Sequence, residues 1–188
     1  MKVLLLDNYD SFTFNLFHYL QQLTEEVEVR RNNEISVQEA LGFSHLVISP
    51  GPGLPESAGI TNQLIQAAVG SHAILGVCLG CQALGQYFGA QLFNQQEVAH
   101  GIQRAVNQSQ QESWLLAGLP QSFRVGLYHS WAIREEGLSN KIRVTARSER
   151  GVAMAMEHLE LPVAGVQFHP ESIMTDHGLQ ILRNWLQR

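Results

Sequence analysis

Two cysteines, Cys78 and Cys81, stand three positions apart in the stretch ILGVCLGCQALGQYFG, residues 74–89. A cysteine can act as a nucleophile, as half of a redox pair or as a metal ligand, or it can simply pack in the core. A zinc site needs four ligands, and the sequence has neither a second C-x-x-C nor a neatly spaced histidine pair to complete one. The nucleophile, the dithiol and the buried structural cysteine all stay open at this point.

Glycines flank Cys78 two positions away on either side, so that Gly76, Cys78 and Gly80 form the pattern G-x-C-x-G. The apolar run 73–77 predicts a buried strand and residues 79–88 predict a helix, which places Cys78 at a sharp strand-to-helix turn. This is the pattern of a nucleophile elbow with sulfur in place of the serine oxygen. A helix N-terminus favours the thiolate form of a cysteine, so we predict that Cys78 is a nucleophile.

The partners that such a nucleophile needs stand near the C-terminus, in the stretch GVQFHPES. His169 follows a predicted strand, and Glu171 lies two residues further on. In extended backbone, side chains two positions apart point the same way, so the carboxylate can hold one imidazole nitrogen and leave the other free. Cys78, His169 and Glu171 are together the parts of an acyl-transfer triad. Alone, His-x-Glu would equally suit a surface or core histidine.

A third candidate element is the loop SPGPGLPESAG, residues 49–59, which also follows a predicted strand. Its three prolines and three glycines predict a rigid, sharply turned backbone, and glycine lets N–H groups approach a ligand closely. The loop is either part of an oxyanion hole or an ordinary turn. A phosphate-binding loop is disfavoured because the Lys and Ser/Thr of that motif do not follow.

The elements that must position these residues alternate between short apolar runs and amphipathic segments. Strands are predicted at 3–7, 27–31, 45–49 and 73–77, and helices at 12–23, 36–41 and 60–69. This βαβ pattern indicates a mostly parallel sheet covered on both faces. Further strands are predicted at 124–133, 142–148, 151–157 and 162–168, and a final helix at 176–187. We expect a single α/β domain over residues 1–188, with a mixed central sheet flanked by helices.

Composition excludes several classes of function. The 188 residues are 45% hydrophobic and only 15% charged, which suits a folded core. A net charge of −5 gives no basic field for nucleic acid. Since the sequence shows neither a signal peptide nor an apolar run of roughly 18 residues, we expect a cytoplasmic protein with no membrane contact.

The motifs DNYDSFTFNL, SPGPGLPESAG, GVCLGCQ, YHS and GVQFHPES occur in the order found in class I, triad-type glutamine amidotransferases. The first of them resembles the small subunits of anthranilate synthase and aminodeoxychorismate synthase, and the resemblance covers essentially the whole chain. It implies the flavodoxin-like α/β fold of that class, with no metal and no cofactor in this subunit.

The resemblance also implies a mechanism. Cys78 would attack the carboxamide of L-glutamine to give a thioester, while His169, oriented by Glu171, would protonate the leaving ammonia. Ammonia would pass to a larger, chorismate-binding synthase subunit. The residues implied in oxyanion stabilisation and glutamine binding are Gly51, Pro52, Gly53, Leu79, Gln82, Ser130 and Trp131.

Four positions depart from the family pattern, which has His, Lys, Arg and Leu where this chain has Cys81, Ile102, Leu127 and Trp131. The loss of basic residues at positions 102 and 127 would alter partner docking or substrate contacts. Cys81 raises the hypothesis that oxidation closes a disulfide with Cys78 and silences the enzyme. A non-catalytic glutamine-sensing or scaffold subunit and a dithiol oxidoreductase are the alternative functions.

The stretch DNYDSFTFNL has two interpretations of its own. It can be a purely structural segment that ends a strand and begins a helix, with Asp7 at the strand end and Asp10 or Ser11 capping the helix. It can also be a loop near the site or facing the synthase partner, since the carboxyl end of the first strand lies on the ligand-binding edge.

Overall fold

The computed structural model describes residues 1–109 and 112–188, except for the side chains of residues 96–99. Five helices and nine strands make up the described chain. The strands are β1 Val3–Asp7, β2 Val27–Arg31, β3 His45–Ile48, β4 Ala73–Val77, β5 Gln91–Gln108, β6 Ser122–Arg134, β7 Ile142–Ser148, β8 Ala153–His158 and β9 Val163–Val166. The helices are α1 Thr13–Gln21, α2 Val37–Ala40, α3 Thr61–Ala68, α4 Leu79–Tyr87 and α5 Gly178–Leu186, and a 3-10 turn covers Pro55–Ser57.

One nine-stranded sheet organises the molecule, in the order β2-β1-β3-β4-β9-β8-β7-β5-β6. The strands from β2 to β9 in this order pair in parallel, and β8, β7, β5 and β6 continue the sheet antiparallel. The predicted α/β class and mixed sheet are therefore confirmed. The carboxyl ends of β1, β3, β4 and β9 share one edge of the sheet, and each is followed by a predicted motif.

The core has two layers because neighbouring residues of a strand point to opposite faces. Val3 and Leu5 pack on the side that carries α1 and α5, whereas Leu4 and Leu6 pack on the side that carries α2, α3 and α4. All four side chains are at most 1% exposed. The near-continuous apolar strands of the sequence thus reflect burial on both faces.

The strand β5 is the largest element that the sequence patterns did not predict. Its sequence, QLFNQQEVAHGIQRAVNQ, lacks sustained alternation of apolar and polar residues. Its pairing with β6 is also interrupted, with register shifts between Asn94 and Ala99 and between His100 and Ile102. Gly101 lies at the second shift with a φ of +69°, a conformation that glycine adopts without strain. All the strands and helices that the sequence predicts are present, with ends that differ by a few residues.

No helix among residues 1–109 and 112–188 is long and apolar enough to span a membrane.

Candidate active site

Cys78 occupies the turn between β4 and α4 in a conformation that few residues other than glycine adopt. Its φ of +52° and ψ of −103° make it one of three non-glycine residues with positive φ in the described chain. Strain of this kind is concentrated at functional sites. Its backbone N–H donates to the carbonyl of Val166 at 2.8 Å, which ties the turn to the end of β9. The predicted elbow is therefore present.

The two flanking glycines make this turn possible. A Cβ atom on Gly76 would lie 2.4 Å from the backbone of Gly80, and one on Gly80 would lie 2.3 Å from the carbonyl oxygen of Ile48. Any side chain at either position would push the start of α4 away from the sheet. G-x-C-x-G is thus a packing requirement of the elbow.

His169 and Glu171 follow β9 and face each other as the sequence predicts. Nδ1 of His169 lies 2.7 Å from Oε1 of Glu171, and the two residues are 2% and 3% exposed. The backbone of His169 pairs with Gly126 of β6, its N–H donating to the Gly126 carbonyl at 3.1 Å. The rings of Phe12 and Tyr128 pack against the imidazole, with centroids 5.8 and 4.8 Å away. These contacts hold the ring in one orientation.

His169 interacts electrostatically with Cys78. Burial alone lowers the pKa of His169, but its interactions with Cys78 and Glu171 outweigh burial and raise this pKa to about 10. Nδ1 is taken by Glu171, while Nε2 is buried without a described partner of good hydrogen-bond geometry. The sulfur of Cys78 therefore interacts with the imidazole, although Nε2 forms no hydrogen bond of good geometry. The arrangement suits an imidazolium beside the sulfur of Cys78.

The loop after β3 is anchored by a residue of the N-terminal motif. The backbone N–H of Asn8 donates to Oγ of Ser49 at 2.8 Å, and its Nδ2 donates to the Ser49 carbonyl at 3.0 Å. Its Oδ1 accepts from Asn32 and from Thr61, each at 2.9 Å. A Cβ on Gly51 would lie 2.6 Å from Asn8, so loop and motif are in close contact. The sequence patterns did not single out Asn8, because its partners lie far along the chain.

Asp7 organises the rest of this motif. Its Oδ1 accepts from the backbone N–H of Tyr9 at 2.9 Å and from the hydroxyl of Thr13 at 2.7 Å. The predicted helix cap at Asp10 or Ser11 is wrong, because the N-cap of α1 is Phe12 and carries no side-chain cap. Asp10 instead accepts from the backbone N–H of Phe12 at 2.9 Å. The motif therefore serves both interpretations: it shapes the chain after β1, and it brings Phe12 to His169.

The predicted elements meet around one cavity of about 150 Å³. Its wall includes Gly51, Pro52, Gly53, Cys78, Leu79, Gln82, Tyr128, His129, Ser130 and Trp131. All the residues that the family resemblance implies for oxyanion stabilisation and glutamine binding are thus brought together. His169 and Glu171 are outside this wall and adjoin it through Cys78 and Tyr128.

A buried chain of side-chain amides runs behind this cavity. Nε2 of Gln82 donates to the carbonyl of Trp131 at 2.9 Å and to Oε1 of Gln167 at 3.2 Å. Nε2 of Gln167 lies 3.7 Å from the sulfur of Cys78. Nδ1 of His129 lies 2.9 Å from the same Trp131 carbonyl. Gln167 and His129 were not predicted as site residues, although both stand inside the quoted motifs.

Cys81 lies against the sheet and not in the cavity wall. It is 1% exposed, and its sulfur packs where a Cβ on Gly165 of β9 would lie. Burial, reinforced by Cys78, raises the pKa of this thiol, so it stays protonated. Both cysteines are free thiols. The two cysteines thus have unequal settings, with Cys78 in the cavity wall and Cys81 packed against the sheet.

Metal binding has one candidate group in the part of the chain that the structure describes, formed by Asp10, His169 and Glu171. It contains neither cysteine, so the zinc interpretation of C-x-x-C has no support from the described residues. An ion there would compete with the bond between His169 and Glu171.

The remaining departures from the family pattern are neighbours in space. Ile102 of β5 pairs directly with Leu127 of β6, and both line an open groove of about 510 Å³. Two basic side chains at such a cross-strand pair would repel each other, whereas two apolar ones attract. The two apolar residues thus pack as a pair, and neither lies in the wall of the cavity beside Cys78.

Comparison with known proteins agrees with this geometry. The model of the family described as Glutamine amidotransferase class-I matches residues 4–188. Anthranilate synthase component 2 of Mycobacterium tuberculosis is 46% identical, over 99% of this chain and 82% of that protein. Aminodeoxychorismate synthase component 2 of Klebsiella aerogenes is 44% identical, over 99% of this chain and 100% of that protein. A crystal structure of a glutamine amidotransferase from Thermotoga maritima shares the fold, with a TM-score of 0.73 and 17% identity over 100% of this chain and 81% of that one.

Proposed function

The chain belongs to the class I glutamine amidotransferases, and we propose that it hydrolyses L-glutamine through a Cys78 thioester and delivers the ammonia to a chorismate-aminating synthase. The observation that carries the proposal is the meeting of a strained cysteine elbow with a buried His169–Glu171 pair beside one cavity. A thiol and an imidazole suffice for this acyl transfer, so we propose that the chain needs no cofactor or metal.

In the first step the Cys78 thiolate attacks the side-chain carbonyl carbon of glutamine. The C–S bond forms, and the tetrahedral intermediate carries its charge on oxygen. The N–H of Leu79 is the first of α4 and has no acceptor within the helix. Gly53, with a φ of +75° and open space beside its Cα, presents the loop backbone from the other side of the cavity. We assign these two N–H groups to the oxyanion.

Collapse of the intermediate breaks the C–N bond and releases ammonia. The proton comes from His169, whose raised pKa keeps the imidazole charged at neutral pH. Once Cys78 is acylated, its hydrogen-bond and charge interactions with the imidazole are lost, so the pKa of His169 falls while the contribution of Glu171 remains. His169 then becomes a base that activates water against the thioester, while Glu171 keeps the ring in register.

Recognition of the glutamine backbone falls to the wall contributed by β6. The Trp131 carbonyl already accepts from Gln82 and lies at hydrogen-bond distance from His129. This carbonyl is therefore already engaged within the protein, and we assign the α-amino and α-carboxylate contacts to the remaining backbone groups of Ser130 and Trp131. Both N–H bonds of the Gln82 amide are also used, which leaves its Oε1 to meet the substrate.

The partner is proposed to be a larger subunit that binds chorismate. Its product is either anthranilate or aminodeoxychorismate, because similar relatives carry both names at 46% and 44% identity. The synthase that receives the ammonia decides between them, and we propose that this chain serves tryptophan or folate synthesis accordingly.

Glutamate release tests the proposal. The full chain is incubated with glutamine, with and without a chorismate-binding synthase, as wild type, Cys78→Ser and Cys81→Ser. We expect loss in Cys78→Ser and substantial retention in Cys81→Ser, since only the first sulfur lines the cavity. Equal loss in both variants would favour the dithiol function, and no release from wild type with either synthase would favour a scaffold.

A further inference from the structure

We infer that Gln167 is a positioning residue for the nucleophile, held by a chain of buried amides so that its Nε2 donates a hydrogen bond to the sulfur of Cys78. This inference deepens the proposed function and rests on Cys78 being the nucleophile there. It concerns a residue to which the mechanism above gives no role.

Gln167 is a polar residue in a fully buried, apolar segment. It follows β9 directly, between Val166 and Phe168, and all three residues are fully buried. Burying a carboxamide in an apolar run is costly unless its polar atoms are bonded. Its backbone N–H donates to the carbonyl of Met154 at 2.9 Å, so the main chain is satisfied by the sheet. The side chain satisfies its own atoms with Gln82 and Cys78.

The direction of this amide chain follows from its far end. The Trp131 carbonyl can only accept, so Gln82 must turn its Nε2 towards it. The second N–H of the same nitrogen then donates to Gln167, which must present its Oε1. Nε2 of Gln167 is thereby left facing the sulfur at 3.7 Å. A single backbone carbonyl fixes the orientation of both amides.

An N–H donor so placed acts on the thiolate more than on the thiol. Hydrogen bonds to an ionised acceptor are roughly twice as strong as those to a neutral one. The donor also directs the sulfur, which sits on a strained turn and has no other side-chain hydrogen bond of good geometry to the described residues. Because the chain starts at Trp131 in the cavity wall, it links the substrate side to the nucleophile.

The rate of alkylation by iodoacetamide, measured against pH on the full chain, tests this contact without requiring glutamine turnover. Peptide mapping by mass spectrometry restricts the signal to Cys78. In Gln167→Leu the side chain keeps its apolar bulk and loses the donor. We expect the midpoint of the rate–pH profile to move up by about one pH unit, so that the rate at a pH below both midpoints falls about tenfold.

Gln108→Leu is the matched control, because Nε2 of Gln108 also donates to carbonyl groups, those of Leu119 and Pro120, but does not contact Cys78. We expect its midpoint to stay at the wild-type value. Gln167→Met is the second variant if the leucine variant fails to fold. Its unbranched side chain has nearly the length of glutamine but carries neither a donor nor a charge, so the midpoint should again move up.

The outcomes separate this inference from the proposed function. An unmoved midpoint in a folded Gln167 variant overturns the inference, even if wild type hydrolyses glutamine. A shift equal to that of Gln108→Leu also overturns it, because the effect would then be one of general packing. A specific shift in a protein that releases no glutamate supports the contact and rejects the proposed function.

Discussion

Replacing Gly80 by alanine puts a methyl group where the backbone of β3 already lies. The added Cβ would stand 2.3 Å from the carbonyl oxygen of Ile48 and 3.0 Å from its carbonyl carbon. Ordinary contact begins at 3.4 Å, so the start of α4 must retreat by about 1 Å. Cys78 immediately precedes this helix and moves with it.

The effect on rate should exceed the effect on stability. Overpacking of this kind costs about 1–3 kcal/mol, and the better helix propensity of alanine offsets about 1 kcal/mol of that. A displacement of about 1 Å at a reacting group lowers a rate about 100-fold. We therefore expect Gly80→Ala to fold with slightly lower stability and to lose nearly all glutaminase activity.

Gly85→Ala, in the same helix, is the matched control. Its Cβ would meet the end of the Ile133 side chain at 2.7 Å, and such a flexible tip can turn aside. Glutamate release gives kcat and KM, and urea denaturation gives the free energy of unfolding for both variants. Wild-type activity in Gly80→Ala, or an equal loss in Gly85→Ala, would refute the claim that close packing of Gly80 positions the nucleophile.

Three further changes have defined outcomes. Asn8→Ala leaves Asn32 and Thr61 without their acceptor. The free energy of unfolding measured in urea should therefore fall by about 2–3 kcal/mol, and KM for glutamine should rise. An unchanged KM would mean that Asn8 does not hold the glycine-rich loop. Burial, aided by His169, lowers the pKa of His129 from 6.5 to about 4, against the hydrogen bond to Trp131. The buried, neutral imidazole of His129 thus contributes fully to stability above pH 6.5, and this contribution, about 3 kcal/mol, is lost as the pH falls towards 4. Urea denaturation across this range should show that the free energy of unfolding depends less steeply on pH in His129→Gln than in wild type. An unaltered slope would contradict the assignment. Glu171→Gln removes a negative charge that raises the pKa of His169, so the alkaline limb of the pH–activity profile should move to lower pH and the maximal rate should fall at least about 100-fold; an alkaline limb at the wild-type position would exclude this coupling.

Local patterns allowed part of the site to be predicted. Gly76, Cys78 and Gly80 act through neighbours in sequence, and the strand and helix on either side are short and regular enough to show in the apolar pattern. His169 and Glu171 are likewise two positions apart, and their contact is present as predicted, although the chain between them turns and is not extended: the N–H of Ser172 donates to the carbonyl of His169 at 3.2 Å. The parallel half of the sheet was predictable for the same reason, since each βαβ unit is local.

The rest depends on contacts between distant parts of the chain. Asn8 meets Ser49 and Thr61 only because β1 and β3 are adjacent in the sheet. Gln167 and Gln82 are 85 positions apart, and no spacing rule links them. The strand β5 was missed because its register shifts break the alternation on which such a prediction relies. Family resemblance identified the cavity residues, but the amide chain behind them became visible only in three dimensions.

The most direct test of the nucleophile is to follow the covalent state of Cys78 during the first turnover. Wild type is mixed with glutamine and the synthase partner, quenched rapidly in acid, digested and analysed by mass spectrometry. We expect a γ-glutamyl group on the peptide that contains residues 74–89, located at Cys78 and still formed in Cys81→Ser. Release of glutamate while Cys78 stays unmodified throughout would contradict it.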